Sequence, residues 1–343
     1  MDVQVLKISI GGAMSIKKVI VIGGGGYVGS QLVPRLISLG YKVTVYDTFW
    51  FGSQHFQPYI NNGLNLVKGD IRNLASLSEN ISNQDAVIHL ACISNDPSFD
   101  LNPELGKSIN LDPFLPLIQF AKKRHLKRFI YASTSSVYGV KQEEKVTELL
   151  TLNPLTDYSK YKAECESILL NEIDKEFTTV IFRPATVCGY SLRQRFDLSV
   201  NILTAHAMIN KKILVFGGTQ FRPNLHIEDM VDAYVKILDT PDSLIHRNIF
   251  NVGGENLSMS QIASTVKSQM DFDVAIEQTH TDDLRSYRID STKIKDVIGF
   301  TPKRGVKEAV IDIKTAFNNG FYNKPFNDSK YINISKMKDL NLG

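Results

Sequence analysis

Near the N-terminus two apolar runs flank a turn of consecutive glycines: KVIVI at 18–22, GGGGYVG at 23–29 and KVTVYD at 42–47. Few folds accommodate this arrangement. A continuous apolar run predicts a parallel strand buried on both faces. Glycines then supply positive φ and a backbone without Cβ atoms, so a diphosphate can rest on the N–H groups at the positive end of the following helix. Val28, Leu32, Val33, Leu36 and Ile37 recur at helical spacing, and Gly40 ends that helix. Gly23, Gly26 and Gly29 form GxxGxxG, with Tyr27 and Val28 between the last two, and Asp47 ends the next strand 18 residues later. A carboxylate there accepts hydrogen bonds from an adenosine ribose and repels a 2′-phosphate, which favours NAD(H) over NADP(H). Four glycines also occur in merely flexible turns, and strand-end acids also occur simply solvated. A phosphoryl-transfer P-loop is excluded, because Ser30-Gln31 stands where Lys-Ser/Thr is required.

The rhythm of strand and helix continues. Strands are predicted at 64–67, 86–90, 129–133 and 178–182, with helices between them at about 104–124 and 156–173. Alternating units of this kind imply an α/β fold with a doubly wound parallel sheet. The expected layout is a dinucleotide-binding domain over 14–190, with 213–255 partly returning to it, and a smaller interleaved substrate lobe over 191–320. Within that lobe 191–212 is predicted helical, ILVFG a strand, 226–238 a helix and NIFNVGG a strand with its turn. Residues 1–13 read as a leader ahead of a second start at Met14, and 321–343 as a loosely attached polar tail.

Composition adds exclusions. In 343 residues, 39 basic and 36 acidic side chains leave a net charge of +3, too mild to announce nucleic acid. Cys92, Cys165 and Cys188 are scattered and odd in number, which points to reduced thiols rather than a disulfide or zinc framework. No apolar run approaches the roughly 20 residues that span a bilayer. The expectation is a soluble cytoplasmic protein without membrane or nucleic-acid partners. His226-Ile227-Glu228 matches half of a zinc deaminase site, but no PCxxC follows, so no metal is expected.

Tyr158-Ser159-Lys160-Tyr161-Lys162 places Tyr158 and Lys162 one helical turn apart on one face. An ammonium near the phenol, with a cationic nicotinamide, is expected to lower the tyrosine pKa and let it exchange a proton with a sugar hydroxyl. Arg195, Asn201 and Arg285 offer polar forks for two phosphates, or serve structure only. Ser94-Asn95-Asp96 borders the sugar or caps a loop; Phe49, Trp50 and Phe51 flank an adenosine or simply pack.

With these motifs in place, the chain over 17–320 resembles the extended short-chain dehydrogenases/reductases of the NAD-dependent epimerase/dehydratase family, which act on nucleotide sugars. GGGGYVG is similar to the family's TGGxGYIG, with Ile22 in place of Thr. Asp70-Ile71, HLA at 89–91, ASTSSVYG at 132–139, the Tyr158/Lys162 pair, RPATVCG at 183–189 and RPNLHIED at 222–229 follow in family order. The resemblance implies a modified Rossmann fold with a mixed α/β C-terminal lobe, and NAD as cofactor. It assigns Asp70, Ile71, Leu90, Ala91 and Pro184 to the cofactor's surroundings and Thr134 to the catalytic hydroxyl beside Tyr158. Arg222 falls where the family places an arginine near the diphosphate, although a plain surface arginine reads the same way. Thr186 occupies a place where relatives often carry Asn. The family's 4,6-dehydratases carry Asp-Glu after the catalytic threonine; Ser135-Ser136 here disfavours dehydration. The implied activity is a 4-epimerase, with a 4-dehydrogenase or 4-ketoreductase as the alternative and a silent NAD-binding scaffold as a remote one. The helices at 104–124 and 156–173 are implied to pair two copies in a homodimer.

Overall fold

A computed structural model describes residues 16–172, 176–281, 286–322 and 324–343. The expected leader 1–13 and Arg285 lie outside them. The first half runs β1 (Lys18–Ile22), α1 (Gly29–Ser38), β2 (Lys42–Asp47), β3 (Leu64–Lys68), α2 (Leu74–Ile81), β4 (Ala86–His89), α3 (Asp96–Leu101), α4 (Pro103–Asn110), α5 (Phe114–Lys123), β5 (Arg128–Ala132), α6 (Asp157–Asn171) and β6 (Thr178–Pro184). It continues with β7 (Thr186–Cys188), α7 (Ser199–Asn210), β8 (Lys212–Phe216), β9 (Phe221–His226), α8 (Ile227–Asp239), α9 (Asp242–Ile245) and β10 (Asn248–Val252). The last elements are β11 (Glu255–Ser258), α10 (Met259–Ser268), β12 (Ala275–Thr279), α11 (Thr292–Ile298), α12 (Val306–Asn318) and α13 (Asn333–Asp339).

Seven strands form the central sheet in the order β3-β2-β1-β4-β5-β6-β10, and every pairing is parallel. The uninterrupted apolar run of β1 now has its reason: Val19 and Val21 pack into one layer, Ile20 and Ile22 into the other. Strand order reverses between β1 and β4, which opens the crevice where such sheets bind ligands. Gly23 lies at its floor with φ +81°, and a Cβ there would meet the Ala91 backbone nitrogen at 2.4 Å. Gly40 has φ +87° but nothing within 4 Å of its Cβ position. Gly40→Ala is therefore expected to cost only the left-handed penalty, about 1–2 kcal/mol, whereas Gly23→Ala adds a backbone clash and loses markedly more. Thermal melts of the two variants check this; equal losses would refute the close-approach argument.

Beyond β6 the chain builds a second unit. Its parts are a three-stranded sheet, β11-β9-β7, a pair, β12-β8, and α7, α10 and α12 around an apolar cluster of Cys188, Leu203, Ile213 and Val266. Parts of the chain return to the central domain: β10 extends the sheet beside β6, and α8 lies on α1, where Arg35 pairs with Glu228 at 2.7 Å and Asp232 at 3.2 Å. His226 caps α8, its Nδ1 accepting the Glu228 N–H at 3.2 Å, which accounts for the HxE spacing.

Three expectations are corrected. The helix predicted over 104–124 breaks at Leu111–Pro113, since proline at 113 has no N–H and disfavours a helical residue before it. The helix predicted over 191–212 begins only at Ser199. Residues 191–198 are irregular, held by side chains that compete with helical hydrogen bonds: Gln194 Oε1 accepts the Ser191 N–H at 2.8 Å, and Ser191 Oγ donates to the Tyr27 carbonyl at 2.7 Å. Nor is the C-terminal tail loose. Tyr331 and Met337 are buried, Tyr331 packs against Phe196 and Tyr322, and Asn102 Nδ2 donates to the Leu342 carbonyl at 3.1 Å. A few anchors spread over twenty residues give no readable period.

Candidate active site

The glycine turn and β2 make one end of the site. Asp47 is held against the turn, its Oδ2 accepting the Gly25 N–H at 2.9 Å and its Oδ1 the Phe49 N–H at 2.6 Å. Burial raises its carboxyl pKa, and these two N–H groups pull it back. The first turn of α1 carries no acidic side chain, so its N–H groups and dipole are open to an anion. A glycine floor, an uncompensated helix start and an acid at the end of β2 fit a dinucleotide. The Tyr27 phenol points away, donating to the Gly189 carbonyl at 2.7 Å. Asp70 is gripped in a fork by Arg72, Nε at 2.9 Å and Nη2 at 2.6 Å, which holds its pKa low.

The reactive corner lies where β5 ends and α6 begins. A reciprocal cap between Thr156 and Ser159 starts α6 and fixes its first turn, so Tyr158 has little freedom. Lys162, one turn on and 3% exposed, donates from Nζ to the Ala132 carbonyl at 2.6 Å and sits 4.9 Å from the centre of the Tyr131 ring. Thr134 opens a 3-10 turn over Ser135–Tyr138, its Oγ1 accepting the Ser136 N–H at 3.1 Å, and its hydroxyl lies near enough to the Tyr158 phenol to draw the phenol's pKa down.

The expected depression of the Tyr158 pKa is not found in the protein alone. Burial pushes the phenol above its ordinary value, the nearby Cys92 and Asp96 add to this, and the neighbouring Thr134 hydroxyl and Arg195 oppose it. The Lys162 ammonium is directed to the Ala132 carbonyl, so it does not offset the burial.

Seventeen of the residues singled out from sequence border one cavity of about 370 Å³: Gly23, Gly26, Tyr27, Val28, Gly29, Asp47, Asp70, Ile71, Leu90, Ala91, Ser94, Thr134, Tyr158, Lys162, Pro184, Thr186 and Arg195. Trp50, Phe51, Asn95 and Asp96 join them. Asn95 also caps α3, its Oδ1 accepting the Ser98 N–H at 3.1 Å. Asn201 is a correction: it is fully buried, Oδ1 accepts the Gly189 N–H at 3.0 Å, and Nδ2 donates to the Tyr27 hydroxyl and the Arg195 carbonyl. Its amide holds the site's walls together. Arg222 is not among the residues that border this cavity. Asn224, not Arg222, pairs with the cavity residue Thr186, which leaves Arg222 two residues, about 7 Å, further along β9.

Arg193 and Asn333 line the cavity and were missed. Arg193 is 5% exposed and lies with its guanidinium carbon 3.5 Å from the centre of the Phe51 ring. Its pKa is lowered to about 9 by burial and by neighbouring Arg195, with Asp197 and Asp47 opposing. The LRQR segment offered a signal for Arg193, namely a second guanidinium two residues from one already chosen. Asn333 offered none.

Comparison with known proteins follows the same lines. A UDP-glucose 4-epimerase of Lactobacillus helveticus is 27% identical over 317 residues, covering 86% of this chain and 94% of that one. UDP-glucuronic acid decarboxylase 4 of Arabidopsis thaliana is 27% identical over 318 residues, covering 89% of this chain and 69% of the plant protein. Among solved structures, UDP-glucuronic acid 4-epimerase from Bacillus cereus, in complex with UDP-glucuronic acid and NAD, superposes with a TM-score of 0.80 at 26% identity, covering 89% of this chain and all of that one. The sequence profile of one family matches residues 19–253, the whole stretch from β1 to the end of the central sheet that encloses the crevice, and the chain belongs to that NAD dependent epimerase/dehydratase family.

Proposed function

We propose that the chain is a nucleotide-sugar 4-epimerase. The observation that carries this reading is the composition of the reactive corner: Tyr158, Thr134 and Lys162 meet in the cavity, and the two positions after Thr134 are Ser135 and Ser136. That corner has a phenol and hydroxyls for moving a proton on a sugar oxygen, and no adjoining carboxylate pair for eliminating water. The glycine turn and Asp47 would hold NAD, whose chemistry there would be that of a reversible hydride acceptor for the sugar carbon. Tyr158 takes the proton of the C4 hydroxyl and gives it back. Thr134, beside the same phenol, holds that oxygen in line. Lys162, fixed by Ala132, supplies a cation at the floor of the site to hold the ribose of the nicotinamide. Turning the sugar between the two transfers changes the hydroxyl's face.

Oxidation at C4 also makes a C5 carboxylate labile, because the carboxylate is then β to a ketone. The decarboxylase relatives therefore share the first half of this chemistry. Proton NMR of the purified chain with UDP-glucose and with UDP-glucuronic acid tests the reading. The expected result is a C4 epimer with no net NADH. A released 4-keto sugar, stoichiometric NADH or loss of carbon dioxide would replace it with a dehydrogenase or a decarboxylase.

Two further expectations belong to this reading. Asp47→Asn keeps the shape of the turn but loses the charged acceptor, so NAD affinity should fall about tenfold, at 1.5 kcal/mol or so for a charged hydrogen bond. The preference for NAD over NADP should narrow in the same variant. Fluorescence titration of both cofactors checks this, and an unchanged ratio would remove Asp47 from ribose recognition. The active form is a homodimer joined through α5 and α6, for sedimentation to check.

A further inference from the structure

The C-terminal segment reaches the cavity through one residue. Asn333, the first residue of α13, is 8% exposed and every polar group it has is used. Its side-chain carbonyl accepts Arg193 Nη2 at 2.5 Å, its side-chain amide donates to Ser94 Oγ at 3.0 Å, and its backbone N–H donates to Asp197 Oδ2 at 3.1 Å. Ser94 and Asp197 in turn hold Arg195: Nη1 donates to Ser94 Oγ at 3.0 Å and Nε to Asp197 Oδ1 at 2.8 Å. Asn333 thus joins a segment more than 130 positions downstream to both arginines of the cavity wall.

Arg195 is ion-paired with Asp197, which also accepts Asn95 Nδ2 at 3.0 Å, whereas buried Arg193 makes no ion pair among the described residues and feels Asp197 and Asp47 only at longer range. Arg193 Nε and Arg195 Nη2 are buried without a hydrogen-bond partner. An unmet guanidinium N–H is costly in a protein interior, and an anion is the partner that satisfies it best. Both residues line the cavity that holds Tyr158.

We propose that Asn333 is a positioning residue for substrate: it fixes Arg193 directly, and Arg195 through Ser94 and Asp197, so that their two unmet N–H groups take an anionic group of the nucleotide sugar. The segment 324–343 is then a wall of the active site. This rests on the nucleotide-sugar reading above and names the part of the chain that secures its anion. The anion is a diphosphate or a sugar carboxylate, and both suit a guanidinium.

Asn333→Ala removes both side-chain bonds. Asn333→Asp keeps an acceptor for Arg193, cancels part of the positive charge, and guards against an uninformative loss of folding. The full-length variants are compared with the parent by thermal melting, by bound NAD content, and by calorimetric titration with UDP, UDP-glucose and UDP-glucuronic acid. Bound NAD should be unchanged in both variants. Affinity should fall about tenfold in Asn333→Ala, and at least as far in Asn333→Asp. A diphosphate in the pocket weakens all three ligands in parallel, whereas a sugar carboxylate weakens UDP-glucuronic acid alone. Unchanged affinities for all three, or loss of NAD with ligand affinity intact, would overturn the proposal. Because binding is read without turnover, a different reaction at C4 would overturn the epimerase reading and leave this result standing.

Discussion

Tyr158→Phe should leave a folded, NAD-binding protein whose turnover is about 1,000-fold lower, within the range that a positioned proton donor contributes. Several features isolate the hydroxyl as the cause. The Tyr158 side chain is half-buried against the apolar layer on that side of the sheet, and the helix that carries it is capped at Thr156, so Phe fills the same space. The substitution removes the hydroxyl alone, and Thr134 retains its role in the turn through Ser136. The loss should therefore appear in kcat, with KM for the nucleotide sugar changed little. Burial has raised the phenol's pKa in the protein alone, so proton abstraction depends on what approaches Tyr158 in the loaded site. Lys162→Met, which keeps the length but removes the cation anchored on the Ala132 carbonyl, should lower the NAD content of the purified protein. A Tyr158→Phe rate equal to the parent's would end the case for Tyr158 as the proton carrier. Measurement is of single-turnover and steady-state rates on the same nucleotide sugar.

The parts of this site that were legible in sequence share one property: their geometry is local. The β1 run, the glycine turn and Asp47 lie within thirty residues of one another, and the Tyr158–Lys162 spacing is set by one helical turn. A strand buried on both faces shows itself as a run of apolar residues, so the central strands could be placed before any topology was known. What stayed hidden is non-local. Asn201 has the polarity of a ligand, but only the fold brings Gly189, Tyr27 and Arg195 around it. Asn333 stands among residues of no clear period, and its partners Ser94 and Arg193 lie far upstream. The buried face of α6 carries Ser159, Lys162 and Glu166 among its apolar residues, so a pattern of hydrophobicity understates how much of that helix is inside.

Glu166 has the largest expected effect on stability. It stands one turn beyond Lys162, 2% exposed in its side chain, and pairs with Arg183 on β6, 4% exposed, at 2.6 Å. Arg183 Nε also donates to both carboxylate oxygens at 3.1 Å, and the Ser133 hydroxyl donates to Oε1. On its far side Arg183 donates to the Tyr138 hydroxyl at 2.9 Å, which donates onward to Asn251 on β10 at 2.7 Å. This chain ties α6 to the end of β5, next to Thr134, and to β6, next to Pro184. Removing one partner of such a pair strands a charge in the interior. Glu166→Ala should therefore cost about 3–5 kcal/mol, which for a chain of this size lowers the melting temperature by roughly 4–7 °C. The penalty belongs to the unpaired guanidinium rather than to the lost attraction, since replacing both partners by apolar groups of similar volume is often nearly neutral. Glu166→Met with Arg183→Met should then recover much of the loss, while still slowing catalysis because Ser133 and Tyr138 lose their anchor. Melting curves of the single and double variants decide between these terms: a double variant no more stable than Glu166→Ala would mean that packing, not stranded charge, sets the cost.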